Sequence, residues 1–194
     1  WFCGFSAFEQ TPDHSFFSRF RKQIGTKQLA KVFQVIVDKA KDQHLIRSVF
    51  HFGDATSIVT KNTTWAERDA AIQAGEGKLS NQTVKKYSAD KQARFGCKGK
   101  QKFWFGYKGH VGVDMSSGLV EKAAVTPANV SDQDGFKFIC PRDGQLVFGD
   151  KAYCLKAATD EMASRGATCG AILRENMKGK NKDLDRWRSS VRAP

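Results

Sequence analysis

The chain has 194 residues, enough to bury one substantial core with a short accessory segment and too few for two full domains. With 40% hydrophobic, 11% aromatic and 27% charged residues it falls outside the disordered class, and no apolar run approaches the roughly 20 residues that cross a bilayer. Its 32 Lys and Arg against 20 Asp and Glu leave a net charge of +12, which points to a polyanionic partner, nucleic acid first, through phosphate neutralisation and counterion release.

In chain order, Thr11-Pro12-Asp13 reads as a turn with Asp13 as a helix N-cap. Phe16, Phe17, Phe20 and Ile24 then make one apolar face that stops at Gly25. From Thr26 a second helical pattern carries Leu29, Val32, Phe33, Ile36 and Ala40. Residues 1–47 are therefore expected to form a helical lead-in to a domain spanning 48–194.

Val49 to Val59 is rich in β-branched and aromatic residues and predicts a strand, with Asp54 in its middle beside Gly53. Residues 60–102 read as a basic insertion with a short helix from Ala66 to Ala74. Lys102 to Val113 and Leu119 to Thr126 predict two more strands joined by the turn chemistry of Asp114 to Gly118. A helix capped at Asp132 is expected over Gln133 to Ile139, then a turn over Pro141 to Gly144 and a buried strand over Gln145 to Phe148. Leu155, Ala158 and Met162 mark a helix closed by Gly166, and Ala167 to Leu173 returns as a strand. An antiparallel meander followed by βα units predicts an α/β fold with an RNase H-like mixed sheet, although periodicity alone admits other α/β arrangements.

The chemistry-bearing residues follow from that order. In such a sheet the first strand runs parallel beside the fourth, so Asp54 and Asp150 meet at one end although 96 positions separate them. Two neighbouring carboxylates suit a hard cation, Mg²⁺ or Mn²⁺, and in-line phosphoryl displacement. From pattern alone Asp54 reads equally well as a strand-end acid and Asp150 as a helix N-cap. Lys85, Lys86, Lys98, Lys100 and Lys102, interleaved with aromatic residues, are candidate DNA contacts, as are Lys108 and His110 in the second expected strand, for which a core or surface role is the alternative. Arg174, Lys178 and Lys180 form a further basic run for which a solvated face is the alternative. The five cysteines show no C-x-x-C spacing, and the four histidines are dispersed, which argues for a reducing compartment and against a zinc site.

Four segments carry a family resemblance in order: Phe52-Gly53-Asp54-Ala55-Thr56, Tyr107 to Asp114, Val125 to Asp132, and Val147-Phe148-Gly149-Asp150-Lys151-Ala152-Tyr153. They resemble the successive signatures of bacterial insertion-sequence transposases of the DDE type, in the group named after insertion sequence five. Thr11 to Ser15 and Phe17 to Arg21 resemble the lead-in of the same family. The resemblance implies an RNase H-like catalytic domain in which Asp54 and Asp150 match the first two acids and Tyr153 the aromatic position after the second. It further implies Mg²⁺ or Mn²⁺, double-stranded DNA at element ends and target, a homodimer on DNA, phosphodiester hydrolysis with strand transfer, and a cytoplasmic setting. In the family a third acid, Glu, follows an Arg-Ala-Pro-Phe-Glu-like stretch. Arg192-Ala193-Pro194 matches its beginning, so that acid is expected beyond Pro194 and the fragment is expected to be weak or inactive. Glu175, Asp183 and Asp185 are not assigned in its place. A catalytically inactive DNA-binding remnant is the alternative function.

Overall fold

A computed structural model describes residues 6, 8, 11–60, 70, 73–75, 80–98, 102–142, 144–173 and 181–192. The chain divides into two compact units, Trp1–Leu45 and Ile46–Pro194. In the first unit Asp13 caps helix α1 (His14–Asp42), its carboxylate accepting from the Phe16 amide at 2.9 Å. The break expected at Gly25 is present: its φ 71° and ψ 163° are non-helical, and two helical stretches meet across a kink there. A residue without a Cβ adopts that backbone at little cost.

The second unit is built on one six-stranded sheet. Strand β1 (Phe50–Val59) pairs antiparallel with β3 (Lys102–Asp114), and β3 pairs antiparallel with β4 (Val120–Pro127). On its other edge β1 pairs in parallel with β5 (Leu146–Gly149), which pairs in parallel with β6 (Thr168–Cys169). The order β4–β3–β1–β5–β6, three antiparallel strands followed by two parallel additions, is the RNase H-like arrangement.

Two further elements occupy the region read as an insertion. A short helix α2 (Val84–Tyr87) precedes β2 (Arg94–Lys98), which pairs with the first residues of β3. Gly106 faces Val59 on one side and Arg94 on the other, so β2 prolongs the edge that β4 leaves at Pro127. Val84, Ala93 and Phe105 pack here as a small separate core, flanked by Phe95 and Tyr107. Strand β2 corrects the expectation of an insertion over 60–102 that carries a helix and no strand. Its RFGCK pattern is too short and too interrupted by Gly and Lys to declare a strand without its partner. The helix expected over 66–74 lies largely outside the described residues.

The main core joins Phe136, Ile139, Val147, Tyr153, Ala158 and Met162 beneath the sheet. Helix α3 (Asp132–Gly135) passes directly into a 3₁₀ turn (Phe136–Phe138), shorter and tighter than the expected helix. Its N-cap is Ser131 rather than Asp132, the Ser131 hydroxyl accepting from the Asp134 amide. After β5 come a 3₁₀ turn (Lys151–Cys154) and helix α4 (Lys156–Ser164), followed by β6 and helix α5 (Lys182–Arg192). Strand β6 keeps two of the seven residues expected, because only Thr168 and Cys169 find a ladder partner on β5.

Asp114, wholly buried where β3 turns into β4, fixes that corner. It accepts from the Ser48 amide at 3.1 Å, the Ser117 amide at 3.0 Å, and the hydroxyls of Ser116 and Ser117 at 3.3 and 2.7 Å. A buried carboxylate is tolerated only when donors surround it in this way.

Candidate active site

Gly53 of β1 stands opposite Gly149 of β5 in the parallel register, and the next residue on each strand is an aspartate. Asp54 and Asp150 therefore emerge side by side where the two strands stop pairing. Gly149 is required by close packing, since a Cβ there would lie 2.5 Å from Cδ2 of Tyr153, whereas one at Gly53 would make ordinary contact at 3.5 Å with Ile139 and Phe136.

Both acids are exposed. Asp54 accepts from the Ala55 amide at 2.8 Å, and Asp150 accepts from the Lys151 amide at 2.6 Å while capping the 3₁₀ turn. Among the described residues neither carboxylate has an ion-pair partner, so each keeps oxygen lone pairs open to solvent. Paired hard oxygen donors fit a divalent cation such as Mg²⁺ or Mn²⁺. Among the described residues no three His, Cys, Asp or Glu side chains converge closely enough to enclose a metal. The pair fits an open site, in which water and further donors complete the coordination.

A further acid, Asp132, stands at the start of α3. Asp132 accepts from Nζ of Lys108 at 2.8 Å, an ion pair that is half-buried on the lysine side. Two cavities of about 490 and 210 Å³ flank this pair. The larger adds Asn129, Ser131 and Gln133, and the smaller adds Thr56, Lys98 and Trp104. Tyr153 is buried against Phe136, with ring centroids 5.2 Å apart. Burial, and then the charges of Asp132, Asp54 and Asp150, push its phenol well above the ordinary tyrosine range, so it keeps its proton.

The candidate DNA contacts separate into three groups. Lys85, Lys86 and Lys98 are exposed on α2 and at the end of β2. Lys108 is held by Asp132 at the rim of both cavities. His110 is fully buried, bonded through Nε2 to Thr126 at 2.8 Å and packed against Gly135, so the structure corrects the expectation of a DNA contact there. The alternation of β3 turns His110 inward, and burial lowers its pKa and keeps the ring neutral. Lys100, Arg174, Lys178 and Lys180 lie outside the described residues, as does the side chain of Lys102.

The family model of the transposase DDE domain matches residues 53–193, more than half of the chain. The chain belongs to the DDE transposase-domain family. The matched region of this DDE domain opens one residue before Asp54 and contains Asp132, Asp150 and Tyr153. No curated protein matches the sequence significantly. Among solved structures, a piggyBac transposase in a synaptic complex with hairpin DNA aligns over 89% of this chain and 32% of its own, at 8% identity and a TM-score of 0.39. A Mos1 transposase in a paired-end complex with the left transposon end aligns over 82% of this chain and 52% of its own, at 10% identity and a TM-score of 0.29. The DDE domain thus spans about a third of the first chain and half of the second. Within it, sequence reasoning missed the Lys108–Asp132 pair. Asp132 carried the local signal of a helix cap, and nothing local joins it to a lysine 24 positions earlier.

Proposed function

We propose that the chain is the catalytic region of an insertion-sequence transposase, of the group named after insertion sequence five, acting by metal-dependent phosphodiester hydrolysis and strand transfer at element ends. The observation that carries the reading is the register of β1 and β5, which sets Asp54 and Asp150 side by side with open carboxylate oxygens. In this reading Asp54 and Asp150 hold Mg²⁺ or Mn²⁺. When bound, the metal supplies activation of the attacking water or 3′-hydroxyl and stabilisation of the leaving oxygen. Lys108, with Lys85, Lys86 and Lys98, holds the phosphates of double-stranded DNA, and Lys100, Lys102, Arg174, Lys178 and Lys180 serve as further phosphate contacts. Residues 1–47 serve as the lead-in to a catalytic domain over 48–194, and two copies act together on paired DNA ends in the cytoplasm.

The test is Mn²⁺ binding by calorimetry on the chain with and without Asp54→Asn. Binding that Asp54→Asn abolishes is the expected result. Absence of binding by the parent chain refutes the catalytic reading. The second reading, a catalytically inactive DNA-binding remnant, is favoured by the net charge of +12. It requires salt-sensitive DNA binding that survives Asp54→Asn and needs no metal.

A further inference from the structure

Helix α5 is anchored to the parallel edge of the sheet at two points. Trp187 meets Phe148 of β5 with ring centroids 6.3 Å apart, and the Arg188 guanidinium donates to the Cys169 carbonyl of β6 at 3.3 Å. Between this helix and the 3₁₀ turn that follows Asp150 lies a cleft of about 440 Å³, lined by Lys151, Lys182, Asp185, Arg186 and Ser189 together with the chain at 172–173. It shares no lining residue with the two cavities beside Lys108.

The cleft is cationic from both walls. Lys182, Arg186 and Ser189 recur at i, i+4 and i+7 and so share one face of α5, while Lys151 comes from the opposite wall as the residue next to Asp150. Among the described residues neither lysine has an ion-pair partner. Arg186 meets Asp183 at 3.2 Å, but with side-chain exposures of 81% and 90% that pair is weakened by water, and the guanidinium keeps further donors for a ligand. Asp185 is the acid of the lining, and its charge is met from within the protein: its oxygens are buried, and the Arg188 guanidinium lies 3.6 Å away. Like charges gathered in one concavity focus their field on whatever enters it, which favours an anion with several oxygens.

Free phosphate and the phosphodiester of a DNA strand offer the same oxygens. Position favours the strand, because Lys151 follows Asp150 directly and an anion in the cleft lies next to the acid pair. Resting on the catalytic reading above, we propose that this cleft is a backbone-binding subsite for DNA, in which Lys151, Lys182 and Arg186 hold a phosphodiester of the strand that passes Asp150 and Ser189 adds a hydroxyl donor. Such contacts fix the register of the strand and carry no sequence preference.

The test follows binding of a fluorescein-labelled DNA duplex of mixed sequence by anisotropy over a series of chloride concentrations. Lys182→Ala combined with Arg186→Ala is expected to lower the slope of log K against log salt by about two, and Lys151→Ala by about one. Ser189→Glu, which sets an acid on the same helix face, is expected to weaken binding with every cation in place. Lys137→Ala removes an exposed lysine from the 3₁₀ turn after α3 and should leave the slope unchanged. Parent-like slopes in the cleft variants overturn the proposal, and a loss in Lys137→Ala equal to that in Lys151→Ala does so by showing a general effect of net charge. Saturable binding of inorganic phosphate that the double change abolishes, with duplex binding untouched, assigns the cleft to free phosphate and overturns it as well. Mn²⁺ calorimetry on the same proteins separates the two readings. If the parent binds Mn²⁺, Asp54→Asn does not, and the cleft variants keep the parent slope, the inference alone fails. If the parent binds no Mn²⁺, the catalytic reading fails and takes with it a cleft that serves an acid pair.

Discussion

Asp114 and Asp54 stand on the same β1–β3 ladder only three positions apart, Asp114 opposite His51 and Asp54 opposite Val111, yet they live in opposite environments. Asp114 is buried and takes four hydrogen bonds, two from amides and two from hydroxyls. Asp54 is exposed, with one main-chain bond and open oxygens, and Asp150 repeats its situation on the neighbouring strand. The comparison separates an acid that holds the fold together from acids that the fold holds out. A carboxylate saturated by its own chain has nothing left to offer a ligand, and one left open contributes little to stability.

The sharpest way to break this contrast is Asp114→Ala. Removing the acceptor from several buried donors should lower stability by about 3 kcal/mol in urea unfolding while leaving Mn²⁺ affinity unchanged. Asp54→Asn should do the reverse, with a stability change within about 0.5 kcal/mol. Gly149→Ala comes next. Its Cβ, 2.5 Å from the Tyr153 ring, should cost about 2 kcal/mol and disturb the Asp150 position as well. Lys108→Ala breaks a partly exposed ion pair and should cost less than about 1 kcal/mol. The same change should reduce the slope of log K against log salt for DNA binding by about one.

The smallest effect concerns pH. Folded His110 resists protonation because it is buried, whereas in the unfolded chain it titrates near 6.5. The unfolded state therefore binds the extra proton, so this contribution to stability is full above about pH 6.5 and drains away as the pH falls below it. His110→Gln should flatten that part of the acid limb in pH-dependent unfolding.

Much of this was legible in the residues themselves. The kink at Gly25, the cap at Asp13 and the hairpin about Asp114 to Gly118 are local events, written in one turn of sequence. The convergence of Asp54 and Asp150 was legible through topology, because a right-handed return places the fourth element beside the first. Strand β2 was not, since its order depends on Phe95 lying across Phe105 and on the Asn81 side chain bonding the Phe95 main chain. The short reach of β6 was also hidden, because where a ladder ends depends on its partner and not on β propensity. The inward turn of His110 depends on which face of β3 meets α3, which the alternation of Gly and polar residues in that strand does not reveal.

The parallel contact between β1 and β5 has one more consequence, for the order in which the molecule is made. The hairpin of β3 and β4 closes through neighbours in sequence, but Gly53 meets Gly149 only after nearly a hundred intervening residues have found their places. Contacts of such long range are late and slow to form, since the closure entropy of the loop must be met before they reward it. A nascent or half-folded chain therefore carries its two aspartates far apart, and the acid pair comes into being only in molecules that have completed their sheet.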